Sequence, residues 1–269
     1  MHIEYRRILL TSGKEKTKAD MNLKYMKFGD GPKNMVILPG LSLRPVTDAP
    51  QGVIAAYNIF SEEFTVYLFD YREEPETDLK IKDMAKDVAD ALNELEVKDI
   101  YLYGVSLGGM VAQSLSVQYP DLVKKLVLCS TVSKVDEKTT TVRWKEYAQK
   151  KDIISLIDVF MKDVYTKEFY EKGIDIMISM YKNLSDEDLK DLVIRLNAVK
   201  DFDIRAKLNE IRIPVLVLGS KADHVFSYEQ MKETSDILSC ESYFYEGYSH
   251  AVYDEAKDIK EKIFDFFLK

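Results

Sequence analysis

Short apolar runs alternate with helical periods along this chain. Val, Ile, Leu and aromatic residues crowd Met35 to Leu38, Phe64 to Phe69, Ile100 to Tyr103, Leu126 to Cys129, Val215 to Leu218 and Ser242 to Tyr245. Runs this short, apolar at successive positions, suit strands buried on both faces, as in a parallel sheet covered by helices. From Leu79 to Leu95, residues Ile81, Met84, Ala85, Val88, Ala91, Leu92 and Leu95 trace the stripe of an amphipathic helix. The alternation predicts an α/β fold. Upstream, Ile3 to Thr11 and Leu23 to Phe28 read as antiparallel edge strands, with Gly29-Asp30-Gly31-Pro32 turning into the first parallel strand.

The rhythm changes between about Thr131 and Ile204, where strand-like runs vanish and helical spacing takes over. Four helices are predicted: Thr140 to Lys150, Asp152 to Tyr165, Lys167 to Lys182, and one opened by Ser185 with Asp188 as a capping box. Strand character resumes at Ile213-Pro214. The expected organisation is a core domain of residues 1–130 and 205–269, with residues 131–204 inserted as a helical cap over the sheet.

With 269 residues and 46% hydrophobic composition, the chain can bury a full core. Its formal charge of -8 repels a phosphate backbone, so nucleic acid is not an expected partner. Cys129 and Cys240 end apolar runs far apart and read as reduced core residues. No apolar stretch reaches the ~20 residues of a membrane span, and the first twenty residues hold no signal core, so a cytoplasmic protein without a membrane span is expected. Acidic runs such as Glu73-Glu74 and Asp186-Glu187-Asp188 read as solvated faces.

The chemistry concentrates at Ile100 to Met110, where an apolar run passes through Gly104-Val105-Ser106-Leu107-Gly108 into a helical pattern. A strand entering a helix through Gly-x-Ser-x-Gly makes a tight elbow that lifts the serine above the sheet. Its bland counterpart is a glycine turn with a serine N-cap. A serine needs a base, and the base needs an orienting partner. Of three histidines, His2 is terminal and His224 adjoins the candidate acid; His250 lies between the last strand and the last helical pattern. Asp223 is the first carboxylate after the run Val215 to Leu218, and the order Ser106, Asp223, His250 belongs to the sheet-and-elbow architecture.

On these residues the chain, from about Leu23 onward, resembles the α/β-hydrolase superfamily. The resemblance implies an eight-stranded, mostly parallel sheet with helices on both faces, a helical cap, and Ser106, Asp223 and His250 as catalytic triad. It also implies an oxyanion hole from the backbone N–H groups of Leu107 and Leu41. Many relatives carry histidine where this chain has Pro39, which offers no donor of its own. No metal or organic cofactor is implied.

The expected substrate is a small molecule with an acyl bond, most simply a carboxylic ester with a small to medium apolar acyl group. Thioester or carbon–carbon bond hydrolysis on the same triad, and a binding or signalling protein that kept the fold without turnover, are the alternatives. The aromatic and methionine residues of the insertion, Trp144, Tyr147, Phe160, Met161, Tyr165, Phe169, Met177, Met180 and Tyr181, divide between packing and pocket, with packing the larger share.

Overall fold

The computed structural model describes residues 4–10, 21–136 and 139–269. Strands β1 (Glu4–Leu10), β2 (Met21–Phe28) and β3 (Lys33–Leu38) precede helix α1 (Pro50–Tyr57), β4 (Phe64–Phe69), α2 (Ile81–Glu94), β5 (Ile100–Val105), α3 (Leu107–Gln118) and β6 (Val123–Cys129). Helices α4 (Thr141–Lys150), α5 (Ile153–Val164), α6 (Lys167–Tyr181) and α7 (Asp186–Lys200) then follow without a strand. The chain ends with β7 (Val215–Ser220), α8 (Tyr228–Leu238), β8 (Glu241–Tyr245), α9 (Val252–Glu255) and α10 (Ile259–Leu268).

The strands form one 8-stranded sheet in the order β1-β2-β4-β3-β5-β6-β7-β8. β1 and β2 are antiparallel to their neighbours, and every other pairing is parallel. The apolar runs are buried on both sides because successive residues feed different layers. In β3, Val36 and Leu38 join the layer containing α2 and α3, while Met35 and Ile37 join the layer containing α1 and α10. From β3 the chain moves outward to β4 and then returns to the opposite side of β3 as β5. This reversal opens a crevice at the carboxyl ends of β3 and β5, where α/β sheets bind ligands.

α3 is buried continuously from Leu107 to Ser116, since it packs on β3, β5 and β6 of the sheet and beside α2. Trp144, Leu156, Met161, Leu189 and Leu192 share one apolar cluster with Leu107 and Met110. Both halves of the Ser185 and Asp188 capping box form: Asp188 N–H donates to Ser185 Oγ at 3.0 Å, and Ser185 N–H donates to Asp188 Oδ2 at 2.8 Å. α6 differs from its neighbours because none of its residues is buried, and Phe169, Ile176 and Met180 are exposed.

Several expectations change. α1 and α8 have no counterpart among the predicted helices; α1 buries only Val53 and has no side-chain cap, whereas α8 opens with a Ser227 and Gln230 capping box. Cys129 is a buried thiol, with burial pushing its pKa up to about 12, but Cys240 is only half-buried. The acidic runs are partly committed: Glu73 pairs with Lys24 at 2.6 Å and Asp186 with Lys151 at 2.5 Å. Ile3, Thr11 and His2 lie outside the described residues. Among the described residues, no helix is long and apolar enough to cross a membrane.

Candidate active site

β5 ends at Val105 and α3 begins at Leu107, so one residue, Ser106, makes the turn from strand to helix. Its φ of 50° and ψ of -116° are unfavourable for a side chain with a Cβ and cost about 1–3 kcal/mol. Neighbouring groups hold it there. The Ser106 N–H donates to the Cys129 carbonyl at 2.9 Å, and the Ser106 carbonyl accepts from Thr131 Oγ1 at 2.7 Å. The elbow also needs its glycines. A Cβ on Gly104 would stand 2.6 Å from the Gly108 carbonyl oxygen, and one on Gly108 would stand 2.0 Å from that of Leu38.

The Ser106 hydroxyl does not cap α3. It lies 2.9 Å from His250 Nε2, and His250 Nδ1 lies 2.8 Å from Asp223 Oδ2. The structure therefore brings Ser106 to His250, 144 positions along the chain, and to Asp223, which lies 27 positions before that histidine. Asp223 is held by its second oxygen, Oδ1, which accepts from the backbone N–H groups of Val225 at 2.7 Å and Phe226 at 2.9 Å. Its side chain is 0% exposed and that of His250 3%, so bulk water competes with neither contact. The neighbouring His224 is exposed.

The loop carrying His250 is pinned from two directions. From the sheet, Ser130 Oγ donates to the His250 carbonyl at 2.7 Å. From α5, the Val164 carbonyl accepts from Ala251 N–H at 2.7 Å, and the Asp163 carbonyl accepts from Ser249 Oγ at 2.9 Å. Thr166 adds bonds from its N–H and hydroxyl to the Glu255 carboxylate at 3.1 and 2.5 Å. The α5–α6 corner is thus part of the frame that positions the imidazole.

Gly40 packs against Ser106: a Cβ there would lie 3.3 Å from the serine Cβ. Leu41 follows on the wall of the adjoining cavity, and Leu107 opens α3, where first-turn N–H groups lack helical partners. Among the described residues, neither the Leu41 nor the Leu107 N–H donates to a backbone carbonyl outside the helix and strand ladders. Pro39 is accommodated by an anchor that sequence reasoning missed. The Tyr71 hydroxyl donates to the Pro39 carbonyl at 2.6 Å inside the protein, and Asp70 receives the N–H groups of Val46 at 2.8 Å and Thr47 at 2.9 Å. One buried tyrosine and one buried carboxylate therefore fix both ends of the loop after β3.

Tyr71→Phe is expected to leave the Pro39 carbonyl unsatisfied, destabilising the fold by about 1–3 kcal/mol. If the loop supplies an oxyanion donor, kcat falls about tenfold or more with KM little changed, because the donor acts on the transition state. Thermal unfolding and steady-state kinetics on one preparation separate the two effects; a lower Tm with unchanged kcat would leave Tyr71 a purely structural role.

A family model described as the alpha/beta hydrolase fold matches residues 33–152. Over 214 residues, 78% of this chain and 79% of the relative, the sequence is 23% identical to 3-oxoadipate enol-lactonase 2 of Acinetobacter baylyi. A putative carbamate hydrolase of Serratia proteamaculans is 26% identical over 189 residues, covering 64% of this chain and 68% of the relative. The enol-lactonase from Burkholderia xenovorans LB400 superposes with a TM-score of 0.80 at 19% identity, over 93% of this chain and 97% of that one. The chain has the α/β-hydrolase fold, and residues 33–152 match that family's model.

A cavity of about 250 Å³ adjoins the elbow. Gly40, Leu41 and Val105 form the wall nearest Ser106, and Tyr57, Phe160, Tyr165, Met177, Tyr181, Tyr253 and Asp254 are among the other lining residues. The insertion's aromatic residues therefore divide: Trp144 is buried packing, Phe160, Tyr165, Met177 and Tyr181 reach the cavity, and Phe169 and Met180 face outward. Tyr57, Tyr253 and Asp254 went unnoticed in the sequence. Asp254 is an exposed residue on the cavity wall, and desolvation by the protein atoms around it raises its pKa above the usual carboxylate range, opposed by the charge of Lys260 and the hydrogen bond from Tyr165. Burial lowers the pKa of Lys260 in turn. Among the described residues, no group of His, Cys, Asp or Glu gathers as a set of metal ligands.

Proposed function

We propose that the protein is a serine hydrolase that cleaves an acyl bond, most directly a carboxylic ester, with Ser106 as nucleophile. The observation that carries the reading is the buried relay from Ser106 Oγ to His250 Nε2 at 2.9 Å and from His250 Nδ1 to Asp223 Oδ2 at 2.8 Å. His250 takes the Ser106 proton as the oxygen attacks the carbonyl, and the Leu41 and Leu107 N–H groups receive the developing oxyanion. His250 then gives the proton to the leaving alcohol. Water, deprotonated by the same imidazole, attacks the acyl-enzyme, releases the acid and returns the proton to Ser106. Asp223 keeps the Nδ1 proton facing itself, so that Nε2 stays free to accept.

The cavity volume of about 250 Å³ is below the usual range for drug-sized ligands and suits a small to medium acyl group. The relatives named as an enol-lactonase and a putative carbamate hydrolase support acyl-bond hydrolysis as the broader class. With p-nitrophenyl acetate and butyrate in rapid mixing, a burst of nitrophenolate equal to the enzyme concentration is expected, followed by slower turnover. Turnover of thioesters without turnover of esters would reassign the bond. Folded protein that turns over neither would favour a binding protein.

A further inference from the structure

The cavity beside Ser106 is walled by aromatic rings, yet among the described residues it contains one formally charged group, Asp254. That carboxylate accepts a hydrogen bond from the Tyr165 hydroxyl at 3.3 Å, which leaves most of its acceptor capacity unused. Lys260 acts on it through space, but its ammonium is committed elsewhere, donating to the Tyr253 carbonyl at 2.5 Å and lying 4.6 Å from the centroid of the Tyr57 ring. The neighbouring Glu255 is occupied by Thr166. Arg44, which does not line this cavity, is turned to the Asn183 carbonyl at 3.0 Å and to Asp188 at 4.0 Å.

A carboxylate on the wall of an aromatic-lined cavity is best accommodated when a cation pairs with it there. Aromatic rings around a negative charge are the surroundings in which an alkylammonium ion loses its loosely held water at least cost, since the ring quadrupoles and the carboxylate both attract it. The same charge repels an acyl or leaving group that carries its own carboxylate. We propose that this cavity binds the alkylammonium end of an amine-bearing substrate, with Asp254 as counter-ion and the rings of Tyr57, Tyr165 and Tyr253 as its wall. This deepens the reading of Ser106 as a nucleophile by naming the substrate class, and it rests on that reading only for the outcome of binding.

Choline and 3,3-dimethylbutanol have the same shape and differ by the charge, so they isolate the electrostatic part of recognition. Binding is measured by calorimetry, with the fluorescence of Trp144 as a local reporter; this single tryptophan packs 4.9 Å from the ring of Phe160, which lines the cavity. Wild-type protein is expected to bind choline about tenfold or more tightly than the neutral alcohol. Asp254→Asn should lose most of that preference while its affinity for 3,3-dimethylbutanol stays near wild type, which shows that the cavity has kept its shape. Equal affinities in the wild type, tighter binding of the alcohol, no binding of either, or a preference that survives in Asp254→Asn would each overturn the proposal. Labelling of Ser106 by a fluorophosphonate is scored separately. An adduct without choline preference removes the cation subsite alone, and choline preference without an adduct removes the hydrolase reading alone.

Discussion

Ser106→Ala is expected to lower kcat for ester hydrolysis by about 10,000-fold or more, because no other atom stands where the hydroxyl does. The loss should be catalytic and not a loss of fold. Alanine keeps the Cβ, while the N–H to Cys129 and the carbonyl contact to Thr131, at 2.9 and 2.7 Å, belong to the backbone. The Ser106 side chain contributes no cap to α3 whose absence would fray the helix. Circular dichroism and thermal unfolding should therefore match wild type closely, while the nitrophenolate burst disappears. Residual turnover within tenfold of wild type would assign the chemistry to another group.

Asp223→Asn is the second large effect, and it acts through a proton. The carboxylate accepts at Oδ2 from His250 Nδ1 and at Oδ1 from Val225 and Phe226. Asparagine can keep its carbonyl on the two backbone N–H groups, which preserves the loop, but its NH₂ must then face Nδ1. A donor facing Nδ1 favours the tautomer with the proton on Nε2, and in that form the ring cannot take the proton of Ser106. A fall of about 10,000-fold in kcat with little change in Tm is expected. The side chain is 0% exposed, so solvent cannot restore the lost acceptor. A drop of only a few-fold would mean that Asp223 serves the loop and not the imidazole.

The sheet was legible because its strands are buried on both faces: runs such as Val215 to Leu218 contain no polar interruption, and Phe64–Phe69 coincides with a strand from end to end. Ser106 was legible because the β5 run stops where an unusual glycine pair begins, and the clashes a Cβ would meet at Gly104 and Gly108 give that pair its reason. His250 and Asp223 each lay just beyond a strand, at the edge where a parallel sheet gathers its loops. α1 escaped notice because a helix that buries only Val53 leaves almost no apolar period to read. α8 did carry a signal, the Ser227 and Gln230 box, in a stretch of weaker apolar pattern.

The cavity was hidden for a different reason. Its wall comes from the loop after β3, from α1, from α5 and α6, and from α9, and only the crossover order of the sheet brings these together. Helical spacing marks Phe160 and Phe169 alike as apolar positions, and it does not say which face of each helix meets the sheet. Pro39 shows the limit from the other side: the Tyr71 hydroxyl that holds its carbonyl comes from a residue 32 positions away. No local reading of the Leu38 to Leu41 segment contains that partner.

The most direct test of the central claim is labelling of the intact protein with a fluorophosphonate, read by mass spectrometry for wild type, Ser106→Ala and His250→Ala. One adduct per chain, mapped to Ser106, absent from the first variant and much slowed in the second, is the predicted result. Folded wild-type protein that takes up no label, or takes it up equally in Ser106→Ala, would contradict the assignment of Ser106 as an activated nucleophile.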